Sequence, residues 1–172
     1  AWTVDGTDGA IWHTGTTAPL GAYSPANERI QSTTFSNGFA KFAGDSANCT
    51  WSDNTPTAIP SDQFTNWDGS LVSPVIDLSA TPAAILTFQQ RARWCCGDMP
   101  DMVGVSTDNG ATWVDVPAYD NLAINTLSAT VTKSLSITGL IAANPANVQI
   151  RFHHDGANYQ ISHYHWQLSA TL

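Results

Sequence analysis

The chain has 172 residues, which suits one domain able to bury a core without metal or disulfide staples. Its 14 acids against 6 Lys and Arg give a net charge of −8; this argues against nucleic acid and anionic membrane as partners and leaves carboxylates for divalent cations. Only 12% of residues are charged, so Ser, Thr, Asn and Gln must carry the surface, as in extracellular β proteins, and no apolar run is long enough to insert in a membrane.

In chain order, Trp2 to Trp12 reads as an Asp- and Gly-rich opening, and the start at Ala1 without a leader is read as a mature or excised module. Helical periodicity is nearly absent, with weak helical turns expected only near 25–30 and 120–125. Residues 38–43 alternate as a strand. A polar excursion covers 44–69, long enough to need a tie or a function, and Cys49, Trp51 and Trp67 could supply the tie. Strands follow at 70–76, 84–94, 102–107, 112–116, 131–138, 147–154 and 159–171. Asn109-Gly110 supplies the positive φ that the 102–116 hairpin needs. About eight short strands with regular turns predict an all-β antiparallel β-sandwich, most simply a jelly roll, over 1–172 as a single domain.

Side chains alternate across a strand. In 84–94, Leu86, Phe88, Ala92 and Trp94 share one face, and Gln89, Arg91 and Arg93 the other. In 147–154, Val148, Ile150 and Phe152 oppose Gln149, Arg151 and His153. In 161–172, Tyr164, Trp166, Leu168, Ala170 and Leu172 oppose His163, His165 and Gln167. If these strands are neighbours, Arg91, Arg93, Arg151, His153, His163, His165 and Gln167 form one polar platform for hydroxyls or carboxylates, to which Trp51 or Trp67 could add a stacking surface for sugar rings. The alternative is a solvated outer face with cross-strand pairs.

For cations, Asp5, Asp8 and Asp45 lie in loops, and Asp53, Asp62 and Asp68 follow in the excursion; such oxygens suit Ca2+. Ordinary turn acids are the alternative. His163-x-His165, with one of His153 and His154, could instead hold Zn2+ or Cu2+. His153 and His154 point to opposite faces, so at most one joins. Cys49, Cys95 and Cys96 leave an odd thiol; Cys49 with Cys95 or Cys96 is the expected intrachain bridge, a vicinal bridge being strained, and three reduced thiols the alternative. Glu28 is the only Glu, and neither a nucleophile elbow nor a zinc-peptidase helix motif is present, so no enzyme activity is expected. Asn48-Cys49-Thr50 and Asp45-Ser46-Ala47 are formal glycosylation tripeptides.

Trp2-Thr-Val-Asp-Gly-Thr-Asp-Gly-Ala-Ile-Trp12, Gly38-Phe-Ala-Lys-Phe42, Leu71-Val-Ser-Pro-Val-Ile-Asp-Leu-Ser79 and Ser106-Thr-Asp-Asn-Gly-Ala-Thr-Trp113 together resemble the MAM-like jelly-roll modules of secreted bacterial proteins, Bacteroidetes ones among them. These include cleaved-adhesin domains and the modules appended to immune-inhibitor-A-type peptidases. The resemblance implies a non-catalytic module, secreted or at the cell surface, within a larger chain. It would bind a glycan or a cell-surface protein with calcium-stabilised loops. A spacer or subunit-interface role in an adhesin or filament, and an accessory role beside a secreted peptidase, are the alternatives. The family's last strand usually ends with two acids, one of which helps hold calcium. Here Ser169 and Ala170 stand at those places.

Overall fold

The computed structural model describes residues 1–5, 12–81, 83–94, 101–119, 122–156 and 163–170. Twelve strands account for most of the described order: β1 (Thr3–Asp5), β2 (Trp12–Gly15), β3 (Phe39–Phe42), β4 (Cys49–Ser52), β5 (Thr55–Ala58), β6 (Asp68–Val72), β7 (Ile85–Trp94), β8 (Asp101–Ser106), β9 (Val114–Pro117), β10 (Val131–Ser136), β11 (Gln149–Asp155) and β12 (His163–Ala170). Two single-turn helices, α1 (Gly44–Ala47) and α2 (Thr138–Ile141), complete the regular structure together with short 3-10 turns.

A first sheet runs β1-β6-β11-β8-β9 and a second runs β10-β7-β12-β3-β2, all antiparallel. From β3 onward, leaving aside the separate β4–β5 hairpin, every connection crosses between the sheets except β8 to β9. That wrapping is the jelly roll the sequence predicts. The sequence reads 2–12 as an opening loop, whereas the structure makes edge strands of Thr3–Asp5 and Trp12–Gly15. The strand read over 70–76 stops at Val72, because Pro74 has no N–H for the ladder; pairing resumes at Ile76, bridged to Val148.

The core lies where the alternation puts it. Leu86, Phe88 and Ala92 of β7, Ile150 and Phe152 of β11, and Trp166 and Leu168 of β12 are buried together. Aromatic rings thread the core from one sheet to the other: Phe88 meets Phe152 at 5.0 Å, Phe152 meets Trp166 at 5.9 Å, and Trp12 meets Trp166 at 5.6 Å. Edge-to-face pairs of this kind add to the burial of the rings themselves.

The 44–69 excursion is ordered. It holds α1, the β4–β5 hairpin and a 3-10 turn, and Asp53 and Asn54 take positive φ at the hairpin tip. Trp67 packs against the core and Cys49 Sγ accepts from Ala22 N at 3.3 Å, as the sequence suggests, and Asn48 adds a tie it does not. The buried Asn48 amide donates to Thr65 O at 3.2 Å and accepts from Thr65 N at 3.0 Å.

Residues 17–34 form a strap with no ladder of its own, laid over the outer side of the second sheet. Ser24, Ile30 and Ser32 are buried there. A buried segment outside a sheet must find partners for its peptide groups, and side chains from the sheet provide them. Gln167, 0% exposed, accepts from Ile30 N and donates to Glu28 O, both at 2.8 Å. Gln89 accepts from Thr33 N, Arg91 donates to Arg29 O, and Lys41 donates to Thr17 O. Gln167→Leu would strand one backbone donor and one acceptor, at roughly 1–3 kcal/mol each. We expect a loss of about 2–4 kcal/mol in urea unfolding; a loss under 0.5 kcal/mol would show that the strap is not held this way.

Candidate functional site

β11 lies between β6 and β8 in the first sheet, while β7 and β12 are neighbours in the second. The polar platform expected from the sequence is therefore divided between the two outer faces of the sandwich. Arg151 and His153 belong to the first sheet; Arg91, Arg93, His165 and Gln167 belong to the second. The second group is not a solvent face, because the strap covers it. Arg93 donates to Tyr23 O at 2.8 Å and to Glu28 Oε1 at 2.9 Å. His165, 2% exposed, shares a hydrogen bond with Ser24 Oγ at 3.1 Å through Nδ1, and its Nε2 lies 3.8 Å from Glu28 Oε2. Ser24, His165 and Glu28 thus line up as a hydroxyl, an imidazole and a carboxylate. All three are buried, so a substrate has no path to the hydroxyl in this conformation.

Burial holds His165 neutral, with its pKa lowered to about 3, and the Arg91 and Arg93 charges add to the effect. Burial also raises Glu28 and Asp45 above the ordinary carboxylate range. Within the expected His163–His165 pair, β12 carries a register shift between the two positions, and the His163 side chain lies outside what the structure describes.

The outer face of the first sheet gathers a different set. Asp155 pairs with Asp68 across β11 and β6, and His153 pairs with Ser70 one step along the same face. His153 Nε2 lies 3.3 Å from Asp68 Oδ2. One ligand atom from each of Asp68, His153 and Asp155 falls within 4.8 Å of the others, and all three side chains are half-buried. Carboxylates directly opposite on neighbouring strands repel, and a cation between them would offset that repulsion. Two carboxylates and one imidazole suit Zn2+ or another first-row divalent ion better than Ca2+, which favours oxygen alone. Register also puts Asp5 opposite Ser70 on β6, on this same face.

The described ones among the six acids assigned to calcium do not gather at one point: Asp53 is at the β4–β5 tip and Asp62 in a 3-10 turn. Asp5 and Asp68 are on the first sheet's outer face, and Asp8 lies outside the described residues. Asp45 is buried on the far side of the sandwich, where it accepts from Tyr23 N at 2.8 Å.

Next to the cluster on β11, Arg151 reaches Asp115 with Nε at 3.1 Å and Nη2 at 2.5 Å, and its guanidinium covers the Trp113 ring at 4.7 Å. Gly104 lies between them on β8, and any Cβ there would run into both Arg151 and Asp115. The sequence reading places His153-His154-Asp155 just before the last hairpin but closes the strand at 154; one more residue of the i, i+2 alternation puts Asp155 beside His153. Asp115, Trp113 and Gly104 carry no such signal, since only sheet order brings them to Arg151. His154 turns the other way, into the core, where Nδ1 meets Asp101 Oδ1 at 2.6 Å and the ring stacks on Phe42. Burial pushes Asp101 well up and His154 down to about 3.

Of the two tryptophans proposed for sugar stacking, Trp67 packs against the core, whereas Trp51 is 45% exposed on the β4–β5 hairpin and bonds back to Ser46 O. Cys49 is a free thiol that donates to Asp45 O at 3.0 Å. Cys95 and Cys96, its expected partners, lie outside the described residues.

No family model matches the chain, and neither does any curated protein. Among solved structures, it is similar to the K1 cleaved adhesin domain of Lys-gingipain from Porphyromonas gingivalis W83, at 15% identity over 98% of this chain and 87% of that one, with a TM-score of 0.47. It is also similar to part of an exo-beta-1,3-galactanase from Phanerochaete chrysosporium, at 13% identity over 98% of this chain and 27% of that one, with a TM-score of 0.33. Likeness at this level carries no inference about function.

The buried imidazole has a measurable consequence. Unfolded, His165 titrates near its ordinary 6.5; folded, it does so near 3. Between these values the unfolded chain holds the extra proton, so stability falls as pH drops from 6.5 towards 3, by up to about 1.4 kcal/mol per unit for this group. Glu28 and Asp45, raised by burial, act with the opposite sign, their contribution being lost as pH rises through their folded pKa values. Melting temperatures measured from pH 7 to 4 should decline less steeply for His165→Gln than for the parent chain. An unchanged slope would show that His165 is not the buried neutral group described.

Proposed function

We propose that the chain is a non-catalytic extracellular binding module that engages its ligand on the outer face of the first sheet, around a divalent cation held by Asp68, His153 and Asp155. The observation that carries this reading is the cross-strand pair of carboxylates with an imidazole in reach, on the sheet face that the strap leaves open. Three protein ligands leave coordination positions for oxygens of the bound partner. The hydroxyls and carboxylates of a glycan are the ligand class that fits. Arg151, held flat by Asp115 and Trp113, offers its remaining donors beside that position. The low charge content and polar uncharged surface support an extracellular setting, and the sealed Ser24–His165–Glu28 line supports the absence of catalysis.

Thermal melts with EDTA, Ca2+, Mn2+ and Zn2+ test the cation. At a hundredfold excess over Kd, binding contributes about 2.7 kcal/mol, which for a chain of this length raises Tm by about 5–10 °C. Zn2+ or Mn2+ should produce the shift in the parent chain and fail to do so in Asp155→Asn. No shift with any of the ions would remove the cation from the reading. Glycan-array binding that survives EDTA would remove its role in recognition. Self-association without saturable ligand binding would favour an assembly module instead.

A further inference from the structure

Between the sheets, on the flank where β1 and β2 form the two edges, lies a cavity of about 620 Å³. That volume is in the usual range of small-ligand sites. Its floor is apolar: Phe39, Phe152 and Leu168 are fully buried, and Trp2 stacks on Phe152 at 5.8 Å while remaining partly exposed. Its rim is polar: Thr14, Thr16, Thr34, Asn37 and Ser169. Every rim side chain is neutral and can both donate and accept a hydrogen bond. Among the described residues, no charged one lines the cavity, in a chain of net charge −8.

We propose that this flank is a second ligand site, separate from the cation face, and that it takes a neutral sugar ring. Three properties of the lining select that class. The absence of charge disfavours ionic ligands, whose desolvation would go uncompensated. Rim groups that donate and accept match hydroxyls, which do both. An aromatic wall matches the C–H face of a pyranose, while a purely hydrocarbon ligand would offer nothing to Thr14, Thr16 and Asn37, Thr34 and Ser169 already bonding to each other at 2.6 Å. Backbone geometry helps keep the mouth open. Gly38 takes a φ of 99° and lies against Gly15, which pairs with Phe39 at the cavity lip, so two neighbouring lip positions carry no side chain.

The experiment is an amide-resolved NMR titration of the whole chain with maltose, cellobiose and lactose, with cyclohexanol as the hydrocarbon control, in EDTA. Saturable shifts at Gly15, Thr34, Asn37 and Gly38 with at least one disaccharide are expected. They should persist without metal, which separates this site from the cation face. Trp2→Ala should weaken binding by roughly tenfold. Ala40→Phe, which fills the cavity from its lining without removing a hydrogen bond, should abolish the shifts while the amide spectrum remains folded. Saturation by cyclohexanol in preference to all three sugars would overturn the proposal, as would equal binding by Ala40→Phe or no saturable shift at those amides.

Discussion

A long buried segment without a ladder has to be made compatible with a sheet, and much of the second sheet's chemistry follows from that constraint. The strap crosses β3, β12 and β7, and its peptide groups are taken out of water without strand partners. The sheet answers with Lys41, Gln167, Gln89, Arg91 and Arg93, each bonded to strap backbone. In an acidic protein with few cations, three of them are spent here as donors to carbonyls. Glu28 then follows as the counter-charge to Arg93, and His165 is left neutral between them. The polar residues of this face are structural because the strap lies on it; the matching residues of the first sheet, Arg151 and His153, keep part of their surface exposed.

The two faces therefore divide the work. Arg151 on β11 also bonds, but to a side chain, Asp115, and it lies over Trp113 at the surface. His153 faces two carboxylates rather than a hydroxyl and a buried Glu. The same residue types, read from sequence as one platform, occupy opposite electrostatic settings: one dry and internally matched, the other half-wet, with two acids facing each other across a pair of strands.

How far the sequence reaches follows from which physical signal each feature leaves. Period-two alternation identified which of Phe88, Phe152, Trp166 and Leu168 point inward, since burial writes directly onto that pattern. Alternation also separated His153 from His154 correctly, one outward and one to Asp101 in the core. Alternation has no information about which strands are neighbours, so it could not separate β11 from β7 and β12. Nor could it reveal that residues 17–34, where only a weak helical turn near 25–30 is expected, lie over a sheet with Ser24, Ile30 and Ser32 buried. Asn48 looked like a glycosylation acceptor and is instead a clamp of the 44–69 excursion. Side chains that satisfy backbone far away in sequence, such as Gln167 on Ile30, leave no local trace.

The position of β12 has a consequence for how the chain acquires its structure. The last strand described is the middle one of its sheet, flanked by β7 and β3, and it contributes Trp166 to the centre of the core. Until residues 163–170 arrive, β7 with β10 and β3 with β2 are separate ribbons with no common partner, and the strap has no Gln167 to settle on. Nearly all of the pairing is between segments distant in sequence, which makes assembly slow and concerted. In this topology the second sheet closes only when β12 takes its place between β7 and β3.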